Sequence, residues 1–156
     1  MLRIGKLTDY AIIVLGHMAR QPERTYTASD LSTAAGVAVP TVSKILKSLT
    51  RARVLRSTRG AKGGYQLAHP PKETTVASLI YAMEGPIALT ECGLEHDTCE
   101  QASRCHIRGN WAVINRAIRA ALESVTLADM ATPMPATEEI RIPISSIHIY
   151  PRPEQP

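Results

Sequence analysis

Three cysteines, Cys92, Cys99 and Cys105, fall within one fourteen-residue stretch spaced C-x6-C-x5-C, and the rest of the 156-residue chain has none. An odd number of thiols is a poor basis for a disulfide framework, and a reducing compartment would not keep one, so metal or redox chemistry is the natural reading. Zinc sites usually pair their ligands at C-x2-4-C, whereas this wider spacing suits a larger object such as an iron–sulfur cluster. The cysteines sit among Glu91, Glu95, Asp97, Glu100 and Arg104, not on the apolar helix faces where structural thiols collect. Three thiolates leave a fourth ligand open. His106, His96, Glu95 and Asp97 are within reach along the chain, and a residue of a second subunit is an alternative. An incomplete thiolate set makes a cluster more labile or more accessible to oxidants and small ligands, which suits a sensor. Zinc or a thiol–disulfide switch is the competing chemistry for the same loop.

The second chemical signal is charge. Residues 1–72 carry 12 Lys/Arg against 3 Asp/Glu, a net +9, whereas residues 73–156 carry 6 against 11, a net −5. A basic block on a small domain is the electrostatic footprint of a polyanion, because each cation that meets a phosphate releases condensed counterions. An RNA ligand is disfavoured, since aromatic residues make up 4% of the chain and phenylalanine is absent, leaving few platforms for stacked bases. An enzyme using a cysteine nucleophile with His106 or His96 as base would leave the basic half without a purpose, so the chain is read as a non-enzyme. No stretch approaches the roughly 20 apolar residues of a membrane span, and the start lacks the apolar core of a secretory signal. The expectation is a cytoplasmic protein with no membrane partner.

These residues need elements to position them. Leu7, Tyr10, Ala11, Val14, Leu15 and Met18 recur at helical spacing over Lys6 to Arg20, and Gln21-Pro22-Glu23-Arg24 ends that helix. Thr27-Ala28-Ser29-Asp30 offers caps for a short helix running to Ala35, closed by Gly36. Pro40 suits the first position of a third helix, with Val42, Ile45, Leu46 and Leu49 on one face and Thr41, Lys44, Lys47, Ser48 and Arg51 on the other. A short helix, a glycine turn and a helix with a hydroxyl-and-cation face form a helix-turn-helix, the second helix entering the major groove.

Val54 to Leu67 then reads as a β-hairpin wing, two β-prone runs around a basic, glycine-rich tip. Thr75 caps a helix with Val76, Leu79, Ile80 and Met83 on one face, ending at Gly85-Pro86. After the cysteine loop, Trp111, Ile114, Ile118, Ala121, Leu122 and Val125 mark the longest amphipathic helix, which needs a partner; a second copy of the chain would match a palindromic operator. Six of the eleven prolines lie in the last 26 residues, so a disordered tail is expected there.

The expected architecture is mainly α with a small β-hairpin wing, a winged helix-turn-helix plus a long dimerisation helix. Its parts are a DNA-binding domain over 1–86, a cysteine-rich loop over 87–106, the dimerisation helix over 107–130 and the tail over 131–156. The DNA-facing set is Ser29, Pro40, Thr41, Ser43, Lys44, Lys47, Arg51, Arg59, Lys62 and Gly63.

Leu7-Thr8-Asp9-Tyr10-Ala11, the wing segment Arg59-Gly60-Ala61-Lys62-Gly63-Gly64-Tyr65 and Glu91-Cys92 at the head of a three-cysteine loop together resemble the Rrf-two family of winged-helix regulators. The resemblance covers about residues 1–130 and is strongest to regulators of the SUF iron–sulfur assembly operon, with the IscR and NsrR groups as near relatives. It implies a homodimer on double-stranded operator DNA and a cluster bound by Cys92, Cys99 and Cys105. It further implies repression of cluster-assembly genes when cluster is plentiful. IscR-like members carry a histidine three residues after the third cysteine, where this chain has Arg108. His106 is then the preferred fourth ligand, with Asp9 of the partner subunit as the NsrR-like alternative. The first implies a 2Fe-2S cluster, which is favoured; the second implies a 4Fe-4S cluster with nitric oxide as signal.

Overall fold

The computed structural model describes residues 3–60, 63–93, 99 and 104–132, the side chain of Cys92 excepted. Its elements in chain order are α1 (Lys6–Ala19), α2 (Ala28–Ala35), α3 (Val39–Arg51), β1 (Leu55–Thr58), β2 (Gly64–Leu67), α4 (Val76–Glu84), a 3-10 turn at Glu91–Gly93, α5 (Arg108–Glu123) and α6 (Leu127–Ala131). This is the expected winged helix, mostly helical with one antiparallel hairpin.

The helix-turn-helix is built from strong local signals. Thr27 and Asp30 form a complete capping box on α2: the Asp30 N–H donates to the Thr27 hydroxyl at 3.1 Å, and the Thr27 N–H donates to the Asp30 carboxylate at 2.9 Å. Gly36, in the left-handed region at φ 64°, ends the helix at no steric cost. Pro40 is the second residue of α3, one position later than expected, because Val39 opens the helix after Ala38. Val42, Ile45, Leu46 and Leu49, the predicted apolar face, are all fully buried.

At the far end of α3 the Val54 N–H bonds the Leu49 carbonyl and the Arg53 N–H bonds the Thr50 carbonyl, which is a Schellman closure. The residue in its left-handed position is Arg53, at φ 61°. The wing follows at once, with Leu55 opposite Leu67 and Thr58 opposite Gly64. A third strand is reduced to a single residue, since Tyr26 and Tyr65 exchange both backbone hydrogen bonds, at 2.9 and 2.8 Å. Gly64 makes this possible: a Cβ there would stand 2.5 Å from the Tyr26 carbonyl oxygen.

The core gathers Leu15, Met18, Leu31, Ile45, Leu46, Leu49, Leu79 and Leu127, so it draws on α1, α2, α3, α4 and the last helix. That last contributor corrects the sequence reading. The single helix expected over 107–130 is two helices, broken at Ser124–Thr126. Thr126 starts a second capping box with Asp129, and Val125 leaves the helical register to accept the Val76 N–H at 2.9 Å. Leu127 then inserts into the core of the winged helix, its N–H bonded to the Thr74 carbonyl at 2.7 Å. Hydroxyl and carboxylate capping outweighed a helical pattern that ran on without interruption. From residue 133 onward the expected tail lies outside the described residues.

Candidate functional site

The outer face of α3 carries the cations that the sequence placed there. Val39, Pro40, Lys44, Lys47 and Arg51 are exposed, while Thr41, Ser43 and Ser48 are half-buried at the edge of that face. Among the described residues, no carboxylate lies within ion-pairing distance of Lys44, Lys47, Arg51 or Arg59. Unpaired cations in a row on one helix are free to meet phosphates or guanine edges without first breaking an internal salt bridge. The α3 interior supplies the rigidity that such a contact needs, because its opposite face is buried completely.

Ser29 is exposed in the first turn of α2, whose N-terminal N–H groups are oriented by the Thr27–Asp30 box. The Thr27 backbone N–H first, and the Thr27 side chain second, hold the Asp30 carboxyl below the usual aspartate range. Arg59 is exposed at the wing, and the Gly63 N–H closes the tip by bonding the Gly60 carbonyl at 2.9 Å. Lys62 lies outside the described residues. Arg56 points along the wing and donates to the Gln66 side-chain oxygen at 3.1 Å, while Gln66 in turn donates to the Glu23 carbonyl at 2.7 Å. These bonds stitch β1 and β2 to the turn after α1.

One residue that sequence reasoning passed over fixes this whole arrangement. Tyr26 is 2% exposed, its ring stands edge-on to His17 at 5.6 Å, and the Arg24 guanidinium lies 4.9 Å above it. It precedes the Thr27 cap, and Leu31, fully buried, is the fourth residue of α2. An apolar residue before the cap with another at that spacing is a hydrophobic staple, and this signal was legible in the sequence.

The cysteine loop leaves α4 at Gly85. Cys92 lies in the 3-10 turn, Cys99 and Cys105 are half-buried free thiols, and His106 is exposed just before α5. Among the described residues no three histidine, cysteine or acidic side chains gather as a metal site. The Cys92 side chain, Glu95, His96 and Asp97 lie outside those residues, so the predicted ligand set is described only in part. Asp9 is exposed in the first turn of α1, and Arg108, half-buried, opens α5. The loop's attachment is well defined: Asn115 of α5 accepts the Leu89 N–H at 2.8 Å, and the Gly93 N–H bonds the Thr90 carbonyl at 2.9 Å. The apolar stripe of α5 is only partly covered by the chain itself, with Ile114 42% exposed and Trp111, Ile118 and Leu122 half-buried. No helix among the described residues is long and apolar enough to cross a membrane.

Comparison with known proteins agrees with this geometry. The family model described as "Rrf2: Iron-dependent Transcriptional regulator" matches residues 4–133. The protein Rrf2 of Nitratidesulfovibrio vulgaris is 33% identical over 108 residues, covering 69% of this chain and 72% of its own length. An HTH-type transcriptional regulator of Mycobacterium tuberculosis is 30% identical over 132 residues, covering 83% of this chain and 81% of its own length. Among solved structures, CymR, the global cysteine regulator of B. subtilis, superposes with a TM-score of 0.65 at 27% identity, covering 84% of this chain and 97% of that one. IscR of T. potens superposes with a TM-score of 0.61 at 25% identity, covering 83% and 85%. Relatives of this kind are named as regulators and not as enzymes. With a family match that runs from α1 past α6 and a winged helix whose recognition face is free, the chain belongs to the Rrf2 family of transcriptional regulators.

Proposed function

We propose that this protein is a homodimeric repressor that binds operator DNA through α3 and the wing and senses the supply of iron–sulfur clusters through its cysteine loop. The observation that carries the DNA-binding part is the row of exposed, unpaired cations Lys44, Lys47 and Arg51 on a helix whose other face is locked in the core. Thr41, Ser43 and Pro40 at the start of the helix, Ser29 on α2, and Arg59, Lys62 and Gly63 at the wing complete the DNA-facing set. The half-covered stripe of α5 supports the dimer, because an amphipathic helix that its own domain does not bury has a second copy as its simplest partner.

For the cluster, the chemistry of the donors is the support: thiols of Cys92, Cys99 and Cys105 in one loop, with His106 adjacent to the last. A buried amide nitrogen of Asn115 without a hydrogen-bond partner among the described residues, beside the residue that follows Cys92, also fits a loop built to hold a group that accepts hydrogen bonds. The cluster would supply sensitivity to iron, oxidants or nitric oxide; the chain's residues hold it and link it to α5. A 2Fe-2S cluster with His106 is the favoured form, and 4Fe-4S ligation by Asp9 of the partner subunit is the alternative. The regulated genes in this reading are those of SUF cluster assembly, and the protein works in the cytoplasm, where operator DNA is found.

A second reading keeps the DNA binding and replaces the cluster with zinc or a thiol–disulfide switch. The T. potens neighbour is an IscR, whereas the B. subtilis neighbour is a cysteine regulator, so relatives of both names share the fold. One experiment separates the two. Protein purified without oxygen is examined by visible absorption with iron and sulfide analysis, alongside Cys99→Ala. A visible sulfur-to-iron band, lost in the variant, supports the cluster; a colourless and iron-free protein moves the loop to zinc or thiol chemistry.

A further inference from the structure

Asn115 is the one buried residue of α5, only 6% exposed, while the apolar Val113 and Ile114 of the same helix face outward. An amide at such a position needs a reason, because a buried donor without an acceptor costs about 1–3 kcal/mol. Half of the reason is visible: its Oδ1 accepts the Leu89 N–H at 2.8 Å and so anchors the chain where it leaves α4 for the cysteines. The other half is not, since Nδ2 is buried with no hydrogen-bond partner among the described residues.

That nitrogen lies against Gly93, the residue directly after Cys92. A Cβ at Gly93 would collide with Asn115 Nδ2, and would also stand 2.9 Å from Asn115 Cγ and 3.2 Å from the Ala88 Cβ. The glycine therefore lets the amide rest on the loop backbone at the residue that follows Cys92. Outer-shell hydrogen bonds hold metal ligands in orientation, and those donated to cluster sulfurs also set reduction potential.

We propose that Asn115 is a positioning residue for the sulfur centre of the loop, fixing the loop through Oδ1 and donating from Nδ2 to a cluster or thiolate sulfur at its Cys92 end. The proposal rests on the reading that the loop holds an iron–sulfur cluster. It makes α5 more than a surface for a second subunit: the same helix would register whether the centre is present, because loading satisfies an amide in its middle.

Two variants test this from opposite directions in the full-length protein purified without oxygen. Asn115→Asp keeps the acceptor for Leu89 and the shape of the side chain but removes both N–H donors. Gly93→Ala leaves the charge unchanged and drives the amide away from the loop. Both should carry a more negative reduction potential than the wild type and lose iron to a chelator about tenfold faster. Thermal unfolding of the cluster-free proteins shows which variants fold, and a folded variant of either kind decides. Cluster-loaded wild type gives a readout needing no substitution: its Fe–S stretching bands should shift in deuterated buffer, and an absent shift would overturn the donor role. Unchanged potential and iron release in a coloured, folded variant would overturn the proposal and leave the cluster reading intact. A wild type that binds no iron would instead remove the cluster reading itself.

Discussion

Glu84, the last residue of α4, accepts hydrogen bonds from the Thr8 hydroxyl at 2.6 Å and from the Gly5 N–H at 2.7 Å. In a capping box this role belongs to a glutamate three residues into the helix; here a residue 79 positions from the N-cap Gly5 supplies it to the start of α1. These bonds tie α4 to the start of α1 just before the chain turns into the cysteine loop. Thr8 is 1% exposed, so Glu84→Ala leaves a buried hydroxyl without its acceptor and should cost about 1–3 kcal/mol. Thermal unfolding should fall by roughly 3–10 °C, with Glu84→Gln, which keeps an acceptor, close to the wild type. Equal losses in the two variants would assign the effect to charge.

Arg53 closes α3 in a backbone conformation that costs an L-residue roughly 1–2 kcal/mol. Glycine removes that strain and gives back some of the gain as unfolded-state entropy. Arg53→Gly should therefore raise stability by about 0.5–1 kcal/mol, read as a higher urea midpoint at unchanged slope. A lower midpoint would mean that the guanidinium makes a stabilising interaction larger than the strain.

Most of the fold could be read from the sequence because its signals are local. Caps at Thr27, Thr75 and Gly36, the four buried residues of α3 and the glycine-rich wing tip each declare themselves within a few residues. What could not be read depends on distant partners. The Glu84 cap needs α1 and α4 side by side, and the burial of Asn115 needs the loop folded back on α5. The break at Ser124–Thr126 was hidden by an apolar pattern that continues through Val125, although Thr126 and Asp129 stand at capping-box spacing. In the candidate site, the exposed cations of α3 were legible from periodicity, whereas the clamp of Arg24, Tyr26 and His17 behind the wing arises only when the turn after α1 meets β2.

The two capping-box carboxylates predict how the fold responds to acid. Hydrogen bonds from Thr27 hold the Asp30 carboxyl below its usual range, and those from Thr126, side chain first and backbone second, do the same for Asp129. A lowered folded-state value means that the folded protein binds fewer protons than the unfolded chain. Their stabilisation is thus fully present above the ordinary aspartate range and is lost as pH falls below about 4. Asp30→Asn and Asp129→Asn should flatten the acid limb of a stability profile while leaving its slope between pH 6 and 8, roughly the range where aspartates stay ionised, unchanged. A parallel profile for wild type and double variant would show that other carboxylates govern acid unfolding.

Lys44→Ala and Arg59→Ala should each weaken operator binding several-fold. Each should also make the plot of log Kd against log salt shallower, by about 0.9 for every phosphate that the missing cation had neutralised. A weaker affinity with an unchanged salt slope would place the residue on a base edge or in the helix's own stability, not on the phosphate backbone.

The exposed part of the α5 stripe bears on the assembly. Ile114 is 42% exposed and Val113 37%, on a helix that packs against α4 and the 3-10 turn. A carboxylate at position 114 would be tolerated in a monomer, because the side chain is already wet, but would be buried at a twofold interface, where two copies would face each other unpaired. Ile114→Asp should therefore unfold close to the wild-type temperature at low concentration while its mass in light scattering falls to that of one chain. Operator affinity should fall with it, since a lone winged helix loses the second half-site. A variant that keeps the mass of two chains would place the twofold interface on another face.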